Sequence, residues 1–395
     1  MEQSAAARWP AVWAVFAGGL VAGAYIGKVP PALPVLRGEF GLTLVQSGLI
    51  ATMFNLVGGL AGMLAGVLAD RFGPKRLALL GLAILCAGGL LGAAARGFGA
   101  VLLGRFLEGA GFILFTVAGA ALMAAAAPEP RARAKALSLW STYMPAGGAM
   151  ALLAAPVVIG AAGWRGLWVG LALIAAGAFA LVARYAVAPG TGSVRSLRLA
   201  LESLAQRGTI ALSLIFAFYV AQWTSVMIWL PTFVVDERGG TASTAALLTA
   251  LMVLINVPGN LAGGWLLGRG VRRGLMTVAA FAVMALCTAG MLLDILPDLL
   301  RFLLVLVFSS CSGVIPAAAF SGVPVHARSP RHVGTSNGLV MQSSQASQFV
   351  APILLAWMAS RFGSWGATLW AMLAFAACGA ACGFALEIIE ARRGR

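Results

Sequence analysis

"GVLADRFGPKR", residues 66–76, packs an aspartate, three basic residues, two glycines and a proline into eleven positions. Its flanks, "MFNLVGGLAGML" (53–64) and "LALLGLAILCAGGLLGAAA" (77–95), carry no charge. A charged knot between two such runs reads as the short loop joining two membrane-spanning helices, because about 20 apolar residues cross a ~30 Å hydrocarbon core. The rest of the chain repeats that pattern. Of its 395 residues 61% are hydrophobic and 10% charged, against about 25% charged in a soluble domain. The apolar runs are continuous and do not alternate, which excludes a membrane β-barrel. The first run, Trp9 to Gly27, is too long for a secretory h-region and leads into further spans, so it is expected to be retained.

Hydropathy predicts twelve helices at about 9–29, 43–69, 75–95, 98–126, 133–160, 165–186, 208–235, 243–267, 274–293, 299–323, 333–360 and 366–386. With both termini in the cytoplasm, nineteen of the 27 Lys and Arg fall on that side. Seven fall outside (Lys28, Arg37, Arg96, Arg165, Arg238, Arg301 and Arg361), and Arg105 lies within a span. The positive-inside rule therefore places both termini in the cytoplasm. The same rule accounts for the net charge of +15 without a nucleic-acid partner. The five cysteines sit in apolar runs without metal-site spacing to histidine and read as packing residues. Neither a metal nor a cofactor is expected.

The chain repeats at half its length. "NLVGGLAG" (55–62) matches "NVPGNLAG" (256–263) at five of eight positions, Pro130-Arg131 recurs as Pro330-Arg331, and Trp164 as Trp365. Two six-helix bundles of the same orientation follow, residues 1–187 and 209–395, joined by a cytoplasmic linker at 188–208. Such parallel repeats are related by an axis along the membrane normal. Helices 3, 6, 9 and 12 are almost purely apolar and read as peripheral. The other eight carry polar groups at mid-depth, which in lipid face a bundle interior or a wet cavity.

This pattern resembles the major facilitator superfamily. Gly66, Leu68, Asp70, Arg71, Gly73, Lys75 and Arg76 are similar to its signature between helices 2 and 3, and Arg105 with Gly109 in "GRFLEGAG" to a second signature in helix 4. "WLPTF" (229–233) and "LPVLRGEFGLT" (33–43) resemble bacterial cyanate-permease-like members. The resemblance implies secondary transport by alternating access, two halves rocking about a central site. It also implies that helix 2 closes on helix 11 at the cytoplasmic side. Gly58, Gly62 and Gly66 bare one face of helix 2 for close approach, and Asp70 would cap the facing helix N-terminus. Gly62, Gly66, Asp70, Arg71, Gly73 and Arg76 are thus the expected gate. The corresponding loop of the second half, "GGWLLGRGVRRG" (263–274), keeps the bases and lacks the acid, so the latch is one-sided.

Arg105 lies seven residues after Phe98, about 10 Å deep at 1.5 Å per residue, with Glu108 one turn further. Two readings fit: a proton-carrying Glu108 tuned by Arg105, which itself holds an anion, or a static buried ion pair. Lys28, at the outer end of helix 1, either draws anions into an outward-open cavity or snorkels to the interface. Asn337, Ser344, Gln345 and Gln348 share a face of helix 11 about 100° wide. Gln222, Trp223, Asn256 and Asn260 would complete a substrate wall in the second half; Tyr25, Asn55 and Tyr143 would do so in the first.

No carboxylate pair, metal spacing or nucleophile constellation suggests an enzyme. The expected activity is a proton-coupled carrier of a small polar or anionic metabolite, a monomer in the bacterial inner membrane. The alternative is a proton-antiport exporter of amphiphilic compounds. It rests on Pro145, Gly147 and Gly148 of "YMPAGGAM", which are similar to a Gly-Pro-rich run in helix 5 of exporters in the superfamily.

Overall fold

Capping and glycine chemistry divide the chain into helices where hydropathy alone blurs them. The computed structural model describes residues 7–187, 206–293, 295–329 and 332–393. The expected linker lies almost wholly outside the described residues, as do the surroundings of Gly66 and the side chain of Asp70. Among the described residues every regular element is helical. Two compact units form: Met1–Leu42 with Leu56–Arg195, and Thr43–Asn55 with Ser196–Arg395.

The first unit contains α1 (Trp9–Gly27), α2 (Val29–Phe40), α4 (Pro74–Ala93), α5 (Phe98–Ala126), α6 (Pro130–Ser141) and α7 (Tyr143–Tyr185). α3 (Leu44–Phe72) divides between the units. It opens with a reciprocal capping box: Gln46 N–H donates to Thr43 Oγ1 (3.1 Å), and Thr43 N–H to Gln46 Oε1 (2.9 Å). It ends at Gly73, whose φ of 84° is open to glycine. The expected first helix is two segments. Pro30 and Pro31 have no N–H for the carbonyls of Ile26 and Gly27, so the ladder lapses at Lys28 and resumes as α2. The fifth helix starts at Pro130 and breaks at Thr142. α7 is 43 residues long, about 64 Å, twice a hydrocarbon core. Gly163 (φ 70°, ψ 174°) breaks it into two helices.

The second unit contains α8 (Arg207–Asp236), α9 (Ala242–Gly268), α10 (Arg273–Leu292), α11 (Asp298–Ser312), α12 (Val314–His326), α13 (Val333–Phe362), a 3₁₀ turn (Trp365–Thr368) and α14 (Leu369–Arg393). The tenth expected helix is thus broken at Gly313, and the twelfth runs on to Arg393. Among the described residues ten helices are, by length and composition, able to cross a membrane. That count takes α7 once and omits α13, whose serines and glutamines dilute its hydropathy. Splitting α7 at Gly163 and adding α13 is consistent with twelve.

Close helix contacts in both units run through glycine, as expected where lipid supplies no hydrophobic drive between helices. In the first, a Cβ on Gly88 of α4 would lie 3.0 Å from the Gly104 carbonyl oxygen of α5, and Gly147 of α7 abuts the Leu20 carbonyl of α1. In the second, Gly259 of α9 abuts the Ser310 carbonyl of α11.

Candidate functional site

The first unit encloses a charged cluster built from four helices. Lys28, at the α1–α2 break, and Glu108, on α5, are both fully buried, with Lys28 Nζ donating to Glu108 Oε1 at 2.7 Å. Arg105, one turn before Glu108, is 1% exposed; it donates to Glu108 Oε2 and, at 3.0 Å, to the Tyr25 carbonyl. The Lys28 ammonium sits 4.2 Å from the ring centroids of both Tyr25 and Trp168, the latter on the second part of α7. Gly88 and Gly92 of α4 make the room: a Cβ on Gly88 would meet Glu108 backbone at 2.9 Å, and one on Gly92 would meet Trp168 at 2.7 Å. Two cations on one carboxylate, with two aromatic faces and a carbonyl, is the pairing a buried charge needs to survive desolvation.

Lys28 is turned inward onto Glu108 and is fully buried, so it does not snorkel. Helices 3 and 6, expected to be peripheral, expose apolar residues such as Leu80, Leu90, Val169 and Leu173 and present their packed faces, through Gly88, Gly92 and Trp168, to Glu108 and Lys28. Helical periodicity identifies a polar face without saying which neighbour covers it. Trp168 escaped the sequence reading; its signal was a lone tryptophan in an otherwise aliphatic stretch beside glycine-rich α4.

The second unit holds two uncharged networks. In one, Asn256 Nδ2 donates to the Ser309 carbonyl (2.8 Å) and to Ser312 Oγ (3.4 Å), Tyr219 O–H donates to Asn256 Oδ1 (3.4 Å), and Trp223 Nε1 donates to Ser309 Oγ (2.9 Å). These bonds tie α8, α9 and α11 together beside the Gly259 contact, so Asn256 and Trp223 have packing partners. In the other, Gln348 Nε2 donates to Gln345 Oε1 (3.0 Å), and Thr224 O–H reaches Gln348 Oε1 (3.3 Å). Ser344 is buried and returns its hydroxyl to Met341. Gln222 is fully buried, and its Oε1 has no partner. Asn260 is half-buried and Asn55 buried. Tyr143 is half-buried against Trp140, ring centroids 4.4 Å apart, away from the charged cluster.

Of the gate residues, Gly62 is half-buried, Gly73 forms the α3–α4 turn, and Arg71 and Arg76 are exposed, with Arg71 5.4 Å from the Phe72 ring. Pro145, Gly147 and Gly148 lie at the head of α7, where Gly147 seats α1. The two histidines are both buried: His326 ends α12 and His332 precedes α13. His326 Nε2 lies 2.9 Å from Glu390 Oε1, Arg273 pairs with the same carboxylate, and Arg272 pairs with Glu387. The signal for this clasp was a pair of acids three apart at the end of the last helix.

Comparison with known proteins places these groups in context. Residues 15–352 match the model of the family described as Major Facilitator Superfamily. The chain is 27% identical to the probable sulfoacetate transporter SauU of Cupriavidus necator, over 87% of this chain and 85% of that protein. It is 26% identical to the probable 4-methylmuconolactone transporter of Cupriavidus pinatubonensis, over 77% and 73%. A methylenomycin A resistance protein of Bacillus subtilis is 35% identical over 39% of this chain, so the match spans about a third (32%) of that relative's length. The crystal structure of a bacterial homologue of the human lysosomal transporter Spinster, inward-facing and occupied, shares the fold at a TM-score of 0.80 with 17% identity, covering 96% of each chain.

Proposed function

We propose, from the premise that this chain belongs to the Major Facilitator Superfamily and is a multi-pass membrane transporter, that it carries a small organic anion across the bacterial inner membrane, coupled to protons. The observation that carries this reading is the likeness to the probable sulfoacetate transporter across most of both chains. In the proposal, residues 1–187 and 209–395 are the alternating halves, with both termini in the cytoplasm. The Lys28–Glu108–Arg105 cluster is the coupling element, since a carboxylate shared by two cations changes its hold on each when the proton count changes. Gln345, Gln348 and Gln222 supply uncharged hydrogen-bonding groups for cargo, and Asp70 latches the cytoplasmic side.

The exporter reading is supported by the methylenomycin A resistance relative, over a third of that protein. It is weakened by the glycines of α7, which already serve to seat α1. Uptake of radiolabelled sulfoacetate into proteoliposomes with an inward proton gradient separates the two. Accumulation that a protonophore collapses, and that Glu108→Gln abolishes while sparing exchange, supports the proposal. Transport of a lipophilic cation such as tetraphenylphosphonium, with no flux of sulfoacetate or other short organic anions, overturns it.

A further inference from the structure

The first unit carries an open groove that neither the charged cluster nor the proposed transport reading uses. It runs between the first half of α1 and the end of α7, which belong to the same unit, and holds about 510 Å³. Its lining on α1 extends from Pro10 to Leu20, roughly 15 Å at 1.5 Å per residue. That is half of a ~30 Å hydrocarbon core, the depth of one leaflet. Trp13, Phe16 and Leu20 form one wall, and Leu181 and Tyr185 the other. Trp13, Leu181 and Tyr185 are exposed, so the groove is both apolar and accessible.

Two arginines stand at its mouth. Arg8 immediately precedes α1, and Arg184 lies in the last turn of α7. Both are exposed, and neither forms an ion pair among the described residues. The Arg184 guanidinium carbon lies 5.5 Å from the ring centroid of Tyr185, which lines the groove. Neither the first turn of α1 nor the last turn of α7 carries an acid. The end of α5 meets Arg8 where its backbone N–H donates to the Ala126 carbonyl at 2.8 Å. The chain beyond that contact adds Glu129, but also Arg131 and Arg133, so this end of the groove is positive. Tryptophan and tyrosine beside arginine are the residues of a membrane–water interface, where each cation attracts anionic lipid. A groove one leaflet deep, with two unpaired cations at its mouth, is complementary to an acyl tail with an anionic head.

We infer that this groove is a binding site for an anionic phospholipid, one acyl chain lying along Trp13, Phe16 and Leu181 and the phosphate held between Arg8 and Arg184. The site lies within one unit and stands whatever the transported cargo is. The test is titration of the full chain in neutral detergent with phosphatidylglycerol or phosphatidylcholine of the same acyl chains, read by native mass spectrometry. Saturable binding of about one phosphatidylglycerol per chain is expected, tighter than that of phosphatidylcholine. Arg8→Gln combined with Arg184→Gln should weaken phosphatidylglycerol binding roughly tenfold to thirtyfold and leave the two lipids alike. Ala17→Trp, which fills the groove from α1, should abolish it. The charge-matched pair Arg269→Gln with Arg392→Gln, both exposed in the second unit, should leave it unchanged. Equal affinity for the two lipids in the wild type overturns the inference. So does an equal loss in the charge-matched pair, binding that Ala17→Trp leaves intact in a folded chain, or a dimer that forms without lipid and excludes it.

Discussion

At the scale of single residues, the charged cluster is where a change should cost most. Lys28 and Glu108 are both fully buried, so removing one partner leaves the other uncompensated, at about 3–5 kcal/mol. Lys28→Met and Glu108→Gln should each lower stability by that order. The double variant should be more stable than the sum of the two losses predicts, as read by denaturation in detergent through a double-mutant cycle. Glu39 gives a milder test away from the apolar spans. Its carboxylate accepts from Trp164 Nε1 at 2.6 Å and pairs with Arg165 at 2.7 Å. The Trp164 hydrogen bond, with Arg165 beside it, holds the carboxyl below its ordinary value against a small opposing cost of burial. A depressed folded value adds stability above the unfolded value of about 4.3 and loses it as pH falls through the folded one. The melting-temperature gap between wild type and Glu39→Gln should therefore be open at neutral pH and close on acidification. It should be small throughout, because the pair is partly exposed.

At the scale of elements, glycine positions of the same helix should respond in opposite ways. Gly259 abuts a carbonyl of the neighbouring helix, whereas Gly264 on the same α9 faces open space. Gly259→Ala should destabilise by about 1–3 kcal/mol through overpacking. Gly264→Ala should be neutral or stabilising by up to about 1 kcal/mol, and thermal melts of the two variants read the contrast directly. The helices themselves were legible in the sequence because hydropathy is a one-dimensional signal: most ends fall within a few residues of expectation. The breaks at Lys28, Thr142 and Gly313 were not. At Lys28 the loss comes from two prolines inside an otherwise unbroken apolar run, and hydropathy does not register a missing donor. The site was legible in part. A charge deep in a span announced Arg105 and Glu108, but their third partner lies eighty residues away, and only tertiary packing brings it in.

At the scale of the whole molecule, orientation is the property most open to test. A fluorescent protein fused after Arg395 should fold and fluoresce, and alkaline phosphatase fused there should stay inactive, if both termini are cytoplasmic. Residues 66–76 identify the kind of machine far better than its cargo, because the roles proposed for them are topology and gating. Asp70→Asn should slow transport and shift the balance between inward- and outward-open states, without altering which compounds bind. Transport rates set beside equilibrium binding of the same radiolabelled anions measure both.

The long separation within the Lys28–Glu108 pair also sets a schedule for biosynthesis. Lys28 emerges with the first apolar segment, while its carboxylate is still eighty residues from being made. At about 5–20 residues per second, that delay is roughly 4–16 s. During it a lone ammonium drawn into hydrocarbon would cost at most about 2.5–3.5 kcal/mol, the value for a helix centre, and less at the end of the segment where Lys28 stands. The first segment is therefore expected to sit with Lys28 at the membrane surface, or to wait at the translocon, until α5 arrives. Ribosome-bound chains stalled before residue 108 should leave Lys28 open to water-soluble amine reagents, and chains stalled well beyond it should not.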